Sequence, residues 1–309
     1  MKRVVFTLHI VACCLLLGQQ TVRATEGASS YYFPGASGTF AVAVAPDPGF
    51  MMFNQMLFLN AKASKAVLRG HVHLEVEADA AYDYVGGFYT FEKPLLGGRF
   101  QLGAAVPVGY VHTKAGIDTT LGSRDDSDTS TNFGDSMMVP ALYWKVGDFH
   151  FKVAETVFIP TGGYSAGNLA NVGRNYWGFD TSFAMTWLST KTGTEISLVP
   201  GIMFNTKNAD TDYQSGNEFH LDFMVNQFFA KNFALGVQGY YYKQVSGDSG
   251  SGAQLGGFEG EALGLGPALF WMPDFGGGKL SLIVKWLRDL DHTHRMEGDY
   301  GQFLVSYTF

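Results

Sequence analysis

HVHLEVEADAAYDY, residues 71–84, alternates without a break. Val72, Leu74, Val76, Ala78, Ala80, Tyr82 and Tyr84 fall on one side; His71, His73, Glu75, Glu77, Asp79 and Asp83 fall on the other. A period of two puts successive side chains on opposite faces of a β-strand, and no helical period accounts for the run. The pattern recurs along the chain. Phe100, Leu102, Ala104, Val106, Val108 and Tyr110 share a face, as do Leu280, Leu282, Val284, Trp286 and Leu290. From 218 to 229, Phe219, Leu221, Phe223, Val225 and Phe229 oppose Glu218, His220, Asp222 and Asn226. Twelve strands are expected, over 50–62, 69–91, 97–113, 136–146, 149–159, 175–189, 193–206, 217–229, 232–245, 259–272, 279–290 and 300–309.

The connections narrow the fold further. Every second one is compact: 92–97, Gly147-Asp148, 189–192, Ala230-Lys231 and 273–278. Most of the others are long and polar, including 114–135 with its Arg124-Asp125-Asp126-Ser127-Asp128 run, 160–174, 206–216 and 246–258. Long connections on one side and short turns on the other predict an all-β chain folded as a transmembrane up-and-down antiparallel β-barrel of about twelve strands. An even count returns both termini to the periplasmic side. A secreted sandwich or jelly roll also alternates, but nothing in such a fold calls for this parity of loop lengths. The final strand alternates Phe303, Val305, Tyr307 and Phe309 with Gln302, Ser306 and Thr308. It resembles the terminal strands of bacterial outer-membrane proteins that the barrel-assembly machinery reads. Trp144, Trp177, Trp187, Trp271 and Trp286 suit the aromatic girdles at the two faces of a membrane.

Composition agrees. The 309 residues are 46% hydrophobic and 16% charged, which excludes a disordered chain. A mean hydropathy of +0.03 excludes a bundle of membrane helices. A net charge of −7 argues against a nucleic-acid partner, which would need a basic surface. Residues 1–24 read as a cleaved signal peptide: Lys2 and Arg3, an apolar core from Val4 to Gly18, and Val22-Arg23-Ala24 before the cut. Its removal takes the net charge from −7 to −10 and carries away Cys13 and Cys14, so no disulfide is expected. Ile10-Val11-Ala12-Cys13 also resembles a lipoprotein box, but His9 interrupts the preceding apolar run and Cys14-Leu15-Leu16-Leu17 is apolar where a polar tether belongs. The mature chain then divides into an N-terminal periplasmic or lumenal segment, 25–49, and a barrel, 50–309.

If the polar faces line the lumen, the second strand contributes His71, His73, Glu75, Glu77, Asp79 and Asp83, the third Arg99, and the eighth Glu218, His220 and Asp222. Carboxylates in a dry lumen need partners, and Lys285 or Lys243 could supply them from across the barrel. The alternative is a wet acidic groove. His71 with His73, and His292 with His294, have spacings that could share an ion, but neither pair has a convincing third ligand, so no metal or cofactor is expected. No Gly-x-Ser-x-Gly element accompanies the serines and histidines, so the chain is not read as an enzyme. The run Arg124 to Asp128 lacks EF-hand spacing and reads as a solvated outer loop.

Several motifs together resemble one bacterial family, known as "putative MetA-pathway of phenol degradation". They are Thr25-Glu26-Gly27 with Tyr32-Phe33-Pro34-Gly35, Phe133-Gly134-Asp135 with Pro140, Pro160-Thr161-Gly162-Gly163-Tyr164 followed by Asn168, Gly173 and Asn175, Thr211-Asp212-Tyr213-Gln214-Ser215-Gly216, Gly247-Asp248 and Gly266-Pro267. The resemblance covers nearly the whole mature chain. It implies a porin-like barrel of the Gram-negative outer membrane, lodged among its lipids, which takes up small aromatic or other hydrophobic compounds by a passive route. It carries no catalytic residues. Tyr164, Asn175 and Tyr213 are the expected substrate mouth. The acidic stripe supports a second reading, a narrow pore preferring cations or polar solutes; structural, adhesive or lipid-hydrolysing barrels are the remaining alternatives.

Overall fold

A computed structural model describes residues 30–67, 72–119, 122–253 and 259–309. The expected signal peptide, both cysteines and His71 lie outside the described residues. The thirteen strand segments are β1 (Gly49–Val67), β2 (Val72–Thr90), β3 (Arg99–Thr119), β4 (Gly122–Phe133), β5 (Ser136–Val146), β6 (Phe149–Ile159), β7 (Gly178–Leu188), β8 (Thr194–Asn205), β9 (Glu218–Ala230), β10 (Phe233–Gln244), β11 (Glu261–Trp271), β12 (Lys279–Thr293) and β13 (Glu297–Thr308). Each pairs antiparallel with its neighbours, and β1 pairs with β13, so the sheet closes on itself. Closure leaves no sheet edge within the barrel wall, the condition for strands to cross lipid.

Thirteen segments occupy twelve wall positions because β4 and β5 share one edge of β3. Arg99 to Ala105 pair with β5, and Val108 to Thr119 pair with β4. The 114–135 stretch expected as a solvated loop is therefore largely strand. Above a membrane both faces of a hairpin meet water, so Ser, Thr and Asp can fill both and the hydrophobic alternation disappears, while the backbone ladder continues. β1 is likewise longer than the expected 50–62, at 19 residues, while β2 lies within the expected 69–91. The compact turns do collect at one end, the end that carries Gly49 and Phe309. In the two-residue turn between β5 and β6, Gly147 adopts a φ of 60°, a left-handed conformation that glycine takes without a Cβ clash.

The outward face of β8 to β12 is apolar and uncovered. Ile196, Leu198, Phe204, Val225, Leu235, Val237, Leu263, Leu265, Val284 and Trp286 all project from it. In water such a surface would be a liability; against lipid it costs nothing.

Residues 30–48 run through the lumen. Pro34, Pro46 and Pro48 lack an N–H and deny this segment a strand of its own, so its backbone must find partners on the inner wall. Nearest the long-loop end, Tyr31 donates to Asp135 at 2.7 Å. Farther in, Asp222 accepts the Gly38 N–H at 2.7 Å, Glu195 the Ala41 N–H at 2.9 Å and Thr186 the Ala43 N–H at 3.2 Å. At the short-turn end Arg99 donates to the Pro46 carbonyl at 2.9 Å and Lys279 pairs with Asp47 at 2.8 Å. The segment is a plug stitched to the wall along its whole length.

The long-loop end is stitched too. Asp128 of β4 accepts the N–H groups of Leu169 and Ala170, each at 3.0 Å, and these bonds hold its carboxyl below the usual range, that of Ala170 most strongly. Replacing residues 114–131 by an Asn-Gly turn should leave a barrel that still shows heat-modifiable migration on gels, since the lower part of β3 pairs with β5. Proteolysis within 160–173 should rise severalfold as that loop loses Asp128. Loss of the heat-modifiable form would show instead that the hairpin is needed for closure.

Candidate functional site

The lumen has two unlike walls. On β7 to β10 and β12 the inner face is polar and buried. Glu218 accepts from Asn205 at 2.8 Å and from the Ser30 hydroxyl of the plug. His220 Nε2 meets Asp180 at 2.8 Å, and its ring stacks on Tyr32 with centroids 4.3 Å apart. Tyr32 donates to Asp222 at 2.5 Å. From β12, Lys285 donates to the carbonyls of Gly35 and Gly38, both at 2.5 Å. Asn226 donates to Glu195 at 3.0 Å and Ser197 to Glu195 at 2.7 Å, extending the network toward the short-turn end. Removing such groups from water is costly, and each charge is kept only by several hydrogen bonds at once.

Glu218, His220, Asp222 and Lys285 thus come together as one cluster around the plug. Sequence reasoning missed half of that cluster. Asp180, Glu195 and Asp289 sit on inner faces of β7, β8 and β12, Tyr32 belongs to the plug, and Arg295 covers Tyr242 at 4.3 Å from its ring centroid. Only the alternation of their own strands could have signalled the three acids.

The opposite wall, on β1 to β3 and β5, is lined by Phe53, Leu57, Ala80, Tyr82, Tyr84, Phe88, Ala105 and Ala141. Between this wall and the plug lies a cavity of about 30 Å³, lined by Ser30, Tyr31, Phe33, Tyr82, Tyr84, Pro107, Gly134, Asp135, Val172 and Arg174. Tyr31 stacks on Phe158 at 4.4 Å, and the Arg174 guanidinium lies 5.2 Å from the Tyr31 ring centroid. Asp135 fixes the roof by accepting the N–H groups of Gly162 and Arg174 at 2.8 and 2.7 Å.

The barrel wall beside the cavity is interrupted. Pairing of β3 with β5 ends at Ala105–Met137 and pairing with β4 begins at Val108–Phe133, leaving Val106 and Pro107 without a register partner on that edge. Between β5 and β6 the register lapses from Met138–Val157 to Ala141–Ala154, around Pro140. Pro107 and Pro140 have no N–H to give a ladder, so the gaps follow from the sequence. One bond, Gly134 N–H to the Pro107 carbonyl at 2.9 Å, spans the first gap.

The acidic stripe needs correction. In register with Leu57 and Phe53 of β1, it is Tyr82 and Gly86 that turn inward, so Glu75, Glu77, Asp79 and Asp83 lie on the outer face. Asp79 accepts from Asn60 at 2.6 Å and Asp83 from Asn54, both on that face. The equation of polar with lumen fails here because the lumen beside β2 is apolar and the upper part of β2 belongs to the long-loop end. His73 pairs in register with Ala66 and Asp118, near the top of the same strand. Lys243 also leaves the lumen, pairing with Glu261 at 3.1 Å on the outside. Arg99 faces inward.

The expected mouth disperses as well. Tyr213 is buried, with its hydroxyl on Asp248, tying one outer loop to the next. Asn175, at a φ of 63°, donates to Asn208 at 2.9 Å and Asp210 at 3.0 Å. Both are loop staples, and Tyr164 is a half-buried member of the 160–177 loop. Among the described residues, no group of three or more His, Cys, Asp or Glu is placed to hold a metal ion.

Known structures share this architecture. The crystal structure of the COG4313 outer membrane channel from Pseudomonas putida F1 overlays with a TM-score of 0.63 at 12% identity, covering 86% of this chain and 97% of that one. A Pseudomonas aeruginosa FadL homologue overlays at 0.43 with 8% identity, covering 84% and 89%. The CymD monoaromatic hydrocarbon channel gives 0.33 and 8%, covering 85% and 89%. Of these three, only the first is near enough to speak to the fold, and it is an outer-membrane barrel. No curated protein is significantly similar in sequence. A family model matches residues 58–305, most of the barrel, and on that match the chain belongs to the family described as "Putative MetA-pathway of phenol degradation".

Proposed function

We propose that this protein is an outer-membrane channel, exported by its signal peptide, through which small aromatic or other hydrophobic compounds enter passively. The observation that carries the reading is the division of the lumen. Polar groups on β7 to β12 are spent on holding the plug, and the space left over is bounded by Tyr31, Phe33, Tyr82 and Tyr84. Water-filled porins keep a polar lumen open; here the polar half is filled. The acidic stripe that would favour a cation-preferring pore lies outside the barrel. The COG4313 outer membrane channel, which shares the fold, is in keeping with this reading.

Entry from the side suits the geometry better than entry from the top. The long-loop end is stitched by Asp128, Asp135 and Asp248, whereas the wall is thinly laddered on one edge at Pro107 and at Pro140, and Pro107 and Gly134 border the cavity directly. An apolar solute dissolved in the outer leaflet would cross that seam without being rehydrated, which keeps its transfer cost small. A gradient then suffices to drive it.

Ala104 and Met138 are outward-facing register partners just below the seam. In an Ala104→Cys/Met138→Cys variant, uptake of toluene by cells lacking other routes should fall severalfold under oxidation and recover with reductant. Uptake indifferent to the cross-link would defeat the lateral route. Loosening the plug should have the opposite effect on ions: Asp222→Ala removes acceptors for Tyr32 and Gly38, and planar-bilayer conductance should rise severalfold. Unchanged conductance would mean that the plug does not limit the polar path.

A further inference from the structure

Three inner-face residues lie near the short-turn end, away from the Glu218, His220, Asp222 and Lys285 cluster, and one of them, Arg99, also holds the foot of the plug. Arg99 on β3 is opposite Tyr143 on β5, and Tyr143 is opposite Lys152 on β6. Two cations therefore flank one phenol ring across two strand spacings, about 10 Å from backbone to backbone. Tyr143 is buried and donates to Gln101 at 3.0 Å, which fixes its ring, and the Lys152 ammonium lies 5.7 Å from that ring's centroid.

Neither cation has an acid to itself. Among the described residues no carboxylate lies within ion-pair distance of Arg99 or Lys152. Asp47, at the foot of the plug, is paired with Lys279 at 2.8 Å, and Asp180 is engaged by His220 at 2.8 Å. Arg99 uses part of its fork on the Pro46 carbonyl, and the Lys152 ammonium lies over the Tyr143 ring. The nearest acids, Asp47 to Arg99 and Asp180 to Lys152, act on the two cations from beyond ion-pair distance, each being held by another partner. Cations turned into a protein interior without an ion-pair partner are costly and, in membrane proteins, mark ligand pathways.

The surroundings define what the pair could hold. Ala45 of the plug and Val139, Ala141 and Ala154 of the wall give an apolar floor of small side chains beside Tyr143. A guanidinium matches a planar carboxylate with two parallel N–H groups, and an ammonium adds a point charge. β3 connects this place to the cavity: Pro107 lines the cavity, and Arg99 lies eight residues down the same inner face, roughly 26 Å along the strand.

We propose that Arg99, Tyr143 and Lys152 form a binding site for an aromatic carboxylate at the short-turn end of the passage. The ligand's arrival rests on the channel reading above; its binding does not.

The test uses the intact barrel in detergent micelles, with benzoate as probe and benzyl alcohol as its uncharged counterpart, followed by calorimetry. Benzoate should bind saturably and more tightly than benzyl alcohol. Lys152→Gln and Arg99→Gln should each weaken it about tenfold, the loss expected for one charge-assisted contact, and leave benzyl alcohol unchanged. Lys152→Arg should restore most of the affinity. Heat-modifiable migration identifies any variant that fails to fold, and the folded wild type and Lys152→Arg then carry the test: both should bind benzoate more tightly than benzyl alcohol. Benzoate bound no better than benzyl alcohol, or bound equally by the glutamine variants, overturns the site. Benzoate binding as described without toluene uptake by cells would overturn the channel reading and leave the site standing.

Discussion

A backbone carbonyl or N–H inside a membrane must have a partner, and in this protein that demand falls hardest on residues 30–48. A strand answers it through its neighbours and a helix within itself. The plug, broken by prolines and glycines, forms neither, and only isolated turns such as Ala36 N–H to the Phe33 carbonyl and Val44 N–H to the Ala41 carbonyl meet the demand internally. Lys285, Gln302, Asp222, Glu195 and Thr186 reach across to meet its carbonyls and N–H groups one at a time. The buried charges of the lumen are thus the condition on which an irregular segment can occupy a barrel interior. The charge that looks most out of place, Lys285, is the one that gathers two carbonyls at the bend of the plug.

This demand also organises the rest of the lumen. Once β7 to β12 carry the polar partners, the facing wall is free to be apolar, and Phe53, Phe88, Tyr82 and Tyr84 fill it. Phe53 and Phe88 stack at 5.3 Å, and Phe88 lies so close over Gly103 that a Cβ there would fall 2.1 Å from its ring. Glycine in β3 is what lets the aromatic layer sit flat against the wall. A barrel interior uniformly polar or uniformly apolar could not both hold the plug and leave a passage for hydrophobic solutes beside it.

The fold was legible where a strand separates two different environments. Strands 193–206 and 217–229 divide lipid from a polar lumen, and their alternation gave both the strand and the correct facing of Glu218, His220 and Asp222. Legibility failed where the two environments were alike. β4 meets water on both sides and reads as a loop. β2 divides an apolar lumen from a polar exterior over its upper part, the reverse of the usual arrangement, so its alternation is plain but its sign is inverted. The plug carries no period at all, because its partners are scattered over β6 to β13 and Arg99, and no local pattern encodes contacts between residues some 190 or 250 positions apart. Tyr213 and Asn175 misled for a related reason: residues that staple loops look, in sequence, like residues that greet a ligand.

The plug and the closing seam share a residue pair. The segment ends at Gly49, where β1 begins, and β1 is the strand on which β13 closes, with the Phe309 N–H bonded to the Phe50 carbonyl at 3.1 Å and their rings stacked at 6.0 Å. The first and last strands therefore cannot meet without fixing which side of the new wall the preceding segment lies on. The foot of the plug at Asp47 and the closing contact of Phe50 with Phe309 are three residues apart in the chain, so neither can shift without the other.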